Sequence, residues 1–474
     1  MPTRSDLDLL AIDRGSVTAP AGCGKTHLIV QSLLRHAGPK PILILTHTNA
    51  GVAALRSRLD RMGVSPKLYR LSTIDGWALR ILGTFPKRSQ IDPAILQLTN
   101  PSKDYPAIRL ATAKLLKAGH LQDLLRASYA RLIVDEYQDC SLVQHAIVYF
   151  AAQALPTVVL GDPLQAIFGW GPERLADWNR HVCVHFPLAG ELKIPWRWRN
   201  AGCEQFGYWL LHVRELLQEE NGIDLSTAPT EVKWVHLDGS EDRIRQLAAA
   251  RTRAPTPDGC VLIIGKSTRP QSQREIASQI PGAVTVEAVD LRDLVSFARK
   301  LDFQADDAFE RIVQFASTIM TNVGATDMIR RVAALEKGTA RRQASDAERA
   351  ALRFKLLRTP QAAADLLVEI NKEPGVRTHR PAVLRACLRA LQSCDGTEGN
   401  TFYDAVIRTR EQYRILGRPL PKRAVGSTLL LKGLEADVSV ILDADDLDAK
   451  NLYVAMTRGS RRLVVCSKRP VLLG

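Results

Sequence analysis

The first 85 residues alternate two patterns. "GSVTA" and "PILILT" are apolar runs of strand length, and helical stretches follow them, "NAGVAALRSRL" being the clearest. Short buried runs separated by helical segments predict β–α–β–α units, hence a parallel sheet with crossover helices. From "TFPKRS" onward the pattern changes. Residues 86–127 read as helices with a polar break at "TNPSKDYP", and strand-like runs return at "RLIVD" and "TVVLGD". A first α/β domain over 1–85 and 128–192 is therefore expected, with 86–127 as a short helical accessory insertion.

The pattern then repeats on a larger scale. "GCVLIIGKS" is strand-like, a long helical region follows, and strands resume only at "GSTLLLKG", "VSVILDA" and "RRLVVCS". In "DDAFERIVQFASTIM" the residues Phe309, Ile312, Val313 and Ala316 fall on one helical face, and Asp307 and Glu310 have capping-box spacing. Ser345 and Glu348 give the same start signal before "RAALRFKLL". A second α/β domain over 193–266 and 416–474, interrupted by a mostly helical insertion at 267–415, accounts for this order. The Pro- and Gly-rich "LGRPLP" marks its rear border. The fold class is α/β, with two parallel-sheet domains and mostly helical insertions.

Composition narrows the classes of function. The chain has 474 residues, 46% apolar and 24% charged, which is globular usage. It holds no apolar run near the ~20 residues that span a bilayer, and "MPTRSDLDLLAIDRG" carries acids where a signal peptide needs an apolar core. A soluble cytoplasmic protein with no membrane partner is expected. Lys and Arg number 64 against 50 Asp and Glu, a net charge of +14, which favours a polyanionic partner such as nucleic acid. The eight cysteines form no C-x-x-C pair and read as reduced thiols.

The chemistry concentrates at strand ends. In "APAGCGKTH", Gly22, Gly24, Lys25 and Thr26 follow a predicted strand and open a helix; Ala19 stands where the general P-loop pattern has its first glycine. Glycines let backbone N–H groups approach phosphate oxygens, Lys25 adds charge, and Thr26 can ligate Mg²⁺. "RLIVDEYQDCS" turns from apolar to acidic at Asp135 and Glu136. Alone this fits a solvated turn. Beside a P-loop it fits the strand end whose Asp135 serves the Mg²⁺ shell and whose Glu136 polarises the attacking water.

Six segments, in order, resemble the superfamily 1 helicases of the UvrD/Rep type: "APAGCGKT", "DEYQD", "GDPLQAIFGW", "PWRWRN", "LLLKGLEAD" and "LYVAMTRGSRR". The resemblance implies two RecA-like P-loop NTPase domains, with ATP and Mg²⁺ as cofactors. It implies phosphate contacts from Ala21, Gly22, Cys23, Gly24, Lys25 and Thr26. Gln165 corresponds to the residue that senses the γ-phosphate. Arg197 and Arg458 correspond to two arginines that reach it from the second domain, which is the arrangement of an arginine finger. Trp196 sits where an adenine-stacking aromatic is usual, and Gly433 and Glu435 lie in the segment that meets the ribose side.

For DNA, the resemblance points to Thr46 and His47 in "LTHTNAG", to Thr73 and Asp75 in "STIDGWA", and to Phe168 and Trp170 after Gln165. Stacking on such rings tolerates any base, which suits movement along arbitrary sequence. "STLLLKGLE" has leucines where the family has a histidine, and the first insertion is short. The stretch 341–358 has six Arg/Lys against two acids and reads as a charged helix or as a contact for nucleic acid or protein.

The implied function is an ATP-dependent translocase or helicase, 3′-to-5′ from the form of "GDPLQAIF", working on single-stranded DNA and single/double-strand junctions. Two other readings stand beside it. One is a DNA-sensing ATPase that does not unwind. The other is a scaffold subunit for a separate nuclease, as in compact UvrD-like chains of Gabija-type bacterial anti-phage systems.

Overall fold

The computed structural model describes residues 7–169, 173–288, 290–395, 397, 399–415 and 421–473. The chain folds as two compact units. The first comprises Met1–Trp234, Asp445–Arg462 and Arg469–Gly474; the second comprises Val235–Ala444 and Leu463–Lys468.

The first unit is built on β1 (Arg14–Thr18), β2 (Ile42–Thr46), β3 (Tyr69–Thr73), β4 (Leu132–Val134), β5 (Thr157–Gly161) and β6 (Leu188–Glu191), in the order β3-β2-β4-β5-β1-β6. Each adjacent pair runs parallel. Every residue of β2, β4 and β5 is buried, as expected of strands covered on both faces, and this is why their sequences are continuous apolar runs and not alternating ones. Crossovers are supplied by α1 (Lys25–Arg35), α2 (Asn49–Arg61) and α3 (Ile74–Thr84). After α3 come α4 (Pro86–Ser89), α5 (Pro101–Lys117) and α6 (Gln122–Ser128).

The break read at "TNPSKDYP" is instead the first turns of α5. Pro101 stands at its start, the Asp104 carboxylate accepts from the Asn100 N–H at 2.7 Å, and Pro106 lies inside the helix. Proline is tolerated at a helix start because its missing N–H has no partner there anyway. Ile108, Leu115 and Leu116 of α5 join Trp77 and Leu82 of α3 in one buried cluster with Val134 and Val159, so the insertion shares the core of the first sheet. The unit continues through α7 (Leu142–Ala151), α8 (Cys183–His185), α9 (Trp196–Asn200), α10 (Glu204–Gln218) and the short strand β7 (Ile223–Asp224).

The second sheet has β8 (Val232–His236), β9 (Val261–Ile264), β10 (Val284–Thr285), β13 (Arg423–Gly426), β14 (Ala436–Ile441) and β15 (Gly459–Ser467), in the order β10-β13-β9-β14-β15-β8. The pairs β10–β13, β13–β9 and β9–β14 are parallel. Helices α11 (Asp242–Ala250) and α12 (Pro270–Gln279) pack on it, Ile276 and Ala277 joining Val261 and Ile263 in its core. Among the described residues, seven helices then form a separate cluster: α13 (Arg292–Lys300), α14 (Ala308–Ile319), α15 (Ala325–Glu336), α16 (Asp346–Leu357), α17 (Pro360–Lys372), α18 (Pro381–Ser393) and α19 (Phe402–Ile415).

The core of that cluster draws on residues from Leu291 to Val406. The pattern placed its start at 267, but α12 is apolar toward the sheet and belongs to it. A two-stranded ribbon of β11 (Met320–Thr321) and β12 (Arg377–Thr378) lies within the cluster. Two capping boxes were expected there and one forms. Ser345 and Glu348 exchange both bonds at the start of α16. Asp307 does not cap α14, because its carboxylate turns to Arg311 at 2.7 Å. The chain closes through α20 (Thr428–Leu431), α21 (Ala449–Met456) and β16 (Val471–Leu472), which pairs with β7. No described helix is long and apolar enough to cross a membrane.

Candidate nucleotide and strand site

Parallel strands bring their carboxyl ends to one edge, the edge where α/β sheets bind ligands. In the first unit that edge carries the P-loop after β1, Asp135 and Glu136 after β4, and Asp162 to Gln165 after β5. Beside them it carries Thr46 and His47 at the end of β2 and Thr73 at the end of β3.

The P-loop turns through left-handed backbone at Gly22 (φ 70°) and Gly24 (φ 90°), a conformation that glycine adopts without strain. Space demands glycine as well. A Cβ on Gly22 would lie 2.5 Å from the Trp198 ring, and one on Gly24 would lie 3.0 Å from Trp196. Gly24 caps α1 with no side chain, which leaves the N–H groups of the first turn for an anion. The Ala21 N–H points to the hydroxyl of Tyr453 at 3.3 Å. Cys23 is buried, and burial, with Asp162 next, pushes its thiol up to about 12. It serves the loop as an apolar residue.

Lys25 Nζ lies 3.0 Å from Asp135 Oδ1 and in tighter contact with Glu136 Oε1. Burial works against the ammonium, but the two carboxylates outweigh it and hold Lys25 above the ordinary lysine range. Burial likewise pushes Asp135 up, Lys25 offsetting part of the effect. Glu136 sits in left-handed backbone, φ 55° and ψ 39°, a strained position for a residue with a side chain and one that recurs at working sites. Gln138 Nε2 donates to Glu136 Oε2 at 2.6 Å, and Gln138 Oε1 accepts from the Asp162 N–H at 3.1 Å. Gln165 Nε2 donates to Asp162 Oδ2 at 3.0 Å. The base candidate and the phosphate-sensor candidate thus share one hydrogen-bonded chain.

Arg214, outside every motif, anchors this chain from α10. It is buried, and its Nε reaches Asp162 Oδ1 at 3.3 Å while Nη1 reaches Glu191 at 3.2 Å. Asp162 is fully buried, so this ion pair is what makes its charge tolerable.

Arg197 and Arg458 both fall within the first compact unit, Arg458 directly before β15 of the second sheet. The Arg197 N–H donates to the Gly22 carbonyl at 3.0 Å, and Arg197 Nη1 donates to the Thr457 carbonyl at 2.6 Å. Trp198 Nε1 donates to the Gly459 carbonyl at 2.9 Å. The absence of a Cβ on Gly22 is what lets this segment seat against the loop. Arg458 is buried just past the end of α21, Nε donating to the Val454 carbonyl at 2.8 Å. Trp196 is half-buried with the Arg199 guanidinium 5.0 Å over its ring. Gly433 (φ 81°) and exposed Glu435 occupy the turn before β14, in the second unit.

On the strand side, Thr46 and Thr73 are register partners across β2 and β3. Thr46 Oγ1 is buried without a hydrogen-bond partner, and Thr73 caps α3 through the Gly76 N–H at 2.9 Å. His47 and Phe168 meet with ring centroids 5.6 Å apart, both half-buried. Trp170 lies outside the described residues.

The donor set suits ATP and Mg²⁺. The loop is a glycine cradle that a Cβ would fill, Lys25 is a cation already gathered by acids, and Thr26 and Asp135 are the hard oxygen donors that Mg²⁺ takes. Among the described residues no cluster of three or more His, Cys, Asp or Glu forms a separate metal centre.

The UvrD/REP helicase N-terminal domain family matches residues 14–103 and 96–179. No curated protein matches the chain. Among solved structures, the Arterivirus nonstructural protein 10 (helicase) with DNA aligns at 17% identity and TM-score 0.28, covering 55% of this chain and 49% of its own. The Pif1 helicase from Candida albicans aligns at 13% identity and TM-score 0.40, covering 98% of this chain and 95% of its own. The family match spans the P-loop, the acidic end of β4 and the Asp162–Gln165 turn, so this N-terminal part of the chain is similar to the N-terminal domain of UvrD/REP helicases.

Proposed function

We propose that this protein hydrolyses ATP to move along single-stranded DNA in the 3′-to-5′ direction, and that it separates duplex only weakly by itself. One observation carries the reading: a single sheet edge aligns the P-loop, the Asp135–Glu136 pair and the Asp162–Gln165 turn with Thr46, His47, Phe168 and Thr73.

Bound ATP with Mg²⁺ supplies the phosphoanhydride whose cleavage powers the cycle. Thr26 and Asp135 would hold the metal, and the α1 N-terminus and Lys25 the phosphates. Lys25 turns from its carboxylates to phosphate oxygens, which releases Glu136 to accept a proton from water. Gln138 keeps the Glu136 carboxylate aimed. Arg197 and Arg458 stand as the cations for charge that develops on the transferred phosphoryl group. Asp162 holds Gln165, so a change at the phosphate passes into the loop that carries Phe168 and the His47 contact.

The polarity rests on the form of "GDPLQAIF". Weak unwinding rests on the short first insertion, which offers little surface to meet a duplex. A setting in Gabija-type anti-phage defence, with a separate nuclease, rests on the compact organisation and the family resemblance. Co-purification with a nuclease encoded beside it tests that part.

The test of the main reading is ATPase activity with and without single-stranded DNA, followed by unwinding of 3′-tailed and 5′-tailed duplexes. Stimulation by DNA with preference for 3′ tails supports it. ATPase indifferent to every DNA supports a scaffold instead.

A further inference from the structure

Arg109 carries a charged link from the first insertion to the site. Arg109 of α5 donates from Nε and Nη2 to the two oxygens of Asp75, at 2.8 and 2.6 Å, and from Nη1 to Glu173 at 2.8 Å. Asp75 stands in the first turn of α3, two residues after Thr73. Glu173 follows the Asp162–Gln165 turn and begins a segment that docks beside the residues after "DEYQD". There the Leu142 N–H donates to the Arg174 carbonyl at 2.9 Å, the Ala176 N–H donates to the Cys140 carbonyl at 2.9 Å, and Ser141 bridges Leu175. Gln144, in the first turn of α7, adds a fourth element by donating from Nε2 to Asp75 Oδ1 at 3.0 Å.

All three charged side chains are largely buried, with exposures of 18% for Arg109, 18% for Asp75 and 24% for Glu173. One guanidinium neutralises two carboxylates, so its loss leaves two like charges facing each other in a poorly hydrated place. The planar fork is also specific. Lysine can pair with one acid but cannot hold Asp75 bidentately and Glu173 at once.

We propose that Arg109 is a positioning residue that couples strand contact at the Thr73 end of α3 to hydrolysis at the P-loop, by tying that end to the segments that follow the catalytic acids and Gln165. The proposal rests on the translocase reading above. It gives the first insertion a role even where it is too short to meet a duplex: its helix α5 carries the joint.

The test compares steady-state ATPase of the wild type, Arg109→Lys and Arg109→Met, each with and without oligothymidylate. The Met variant should keep its DNA-free rate within about twofold and lose about tenfold of the stimulation, in the range of ordinary coupling energies. The Lys variant should fall between. Wild-type stimulation in Arg109→Met overturns the proposal alone. An equal fall in both rates also overturns it, because that marks a purely structural ion pair. A wild type that DNA does not stimulate overturns the translocase reading, and the coupling with it. If Arg109→Met does not fold, Glu173→Gln removes one arm of the joint with a smaller lesion, and the same selective loss of stimulation is expected.

Discussion

Lys25 is held by Asp135 and Glu136, and substitution tests the separate roles proposed for Lys25 and Glu136. Lys25→Ala removes the cation that phosphates require, so a fluorescent ATP analogue should no longer bind. Glu136→Gln keeps the shape and a hydrogen-bonding group but cannot take a proton. It should bind nucleotide nearly as well as the wild type while turnover falls by about 10²–10⁴. Near-normal turnover in Glu136→Gln would remove the end of β4 from the catalytic account. Arg214 makes a different kind of prediction. Arg214→Met strands the buried Asp162 charge, so urea denaturation should show a loss of about 3–5 kcal/mol. A loss within experimental error would mean that water or another cation already serves Asp162. Neither Arg214 nor Arg109 was legible in the sequence, because each finds its partners far along the chain: Asp162 is 52 residues from Arg214, and Asp75 and Glu173 are 34 and 64 from Arg109. Lys25 stands out by its P-loop spacing at the start of a helix, whereas Asp135 and Glu136 alone fit a solvated turn and gain a chemical reading only beside that loop.

Elements carry the next set of consequences. The end of β2 and the loop after Gln165 meet through His47 and Phe168. Phe168→Ala should weaken binding of single-stranded DNA by roughly 1–3 kcal/mol while leaving the salt slope unchanged, since stacking releases no counterions. Titration by fluorescence anisotropy at several salt concentrations checks both parts, and unchanged affinity would make Phe168 a packing residue. A pH effect follows from two buried histidines. His145, between the Tyr137 hydroxyl and His185 at 2.8 Å each, is held down to about 4 by burial, then by His185 and His181. His379 is held to about 4 by burial, then by Arg380, Arg377 and Arg274. Both are neutral when folded, so the unfolded chain binds more protons below the ordinary histidine range. Stability is therefore full above about pH 6.5 and falls as the pH drops toward 4, by up to about 3 kcal/mol for each histidine. Unfolding curves that do not shift across that window would contradict the burial. Helix boundaries were read less well than strands. Asp307 had the spacing of a cap, but Arg311 one turn on competes for its carboxylate. Pro101 looked like a break, but proline at a helix start costs little, and the helix runs on through Pro106.

At the scale of the whole molecule, two six-stranded sheets with different strand orders carry different equipment. The first unit alone holds the P-loop, the acids of β4, Gln165, Arg197 and Arg458, whereas Gly433 and Glu435 belong to the second. The pattern found both sheets because their central strands are continuous apolar runs. No periodicity reveals that Gly22 leaves room for Trp198. Movement along DNA is the property that all these parts would serve together. The measurement that tests it most directly follows the arrival of the protein at a labelled end of single-stranded oligonucleotides of increasing length, after ATP is added. The account predicts a delay that grows with length at the 5′ end, is absent at the 3′ end and vanishes in Glu136→Gln. Arrival times independent of length at both ends, with ATPase unaffected by the strand, would contradict it.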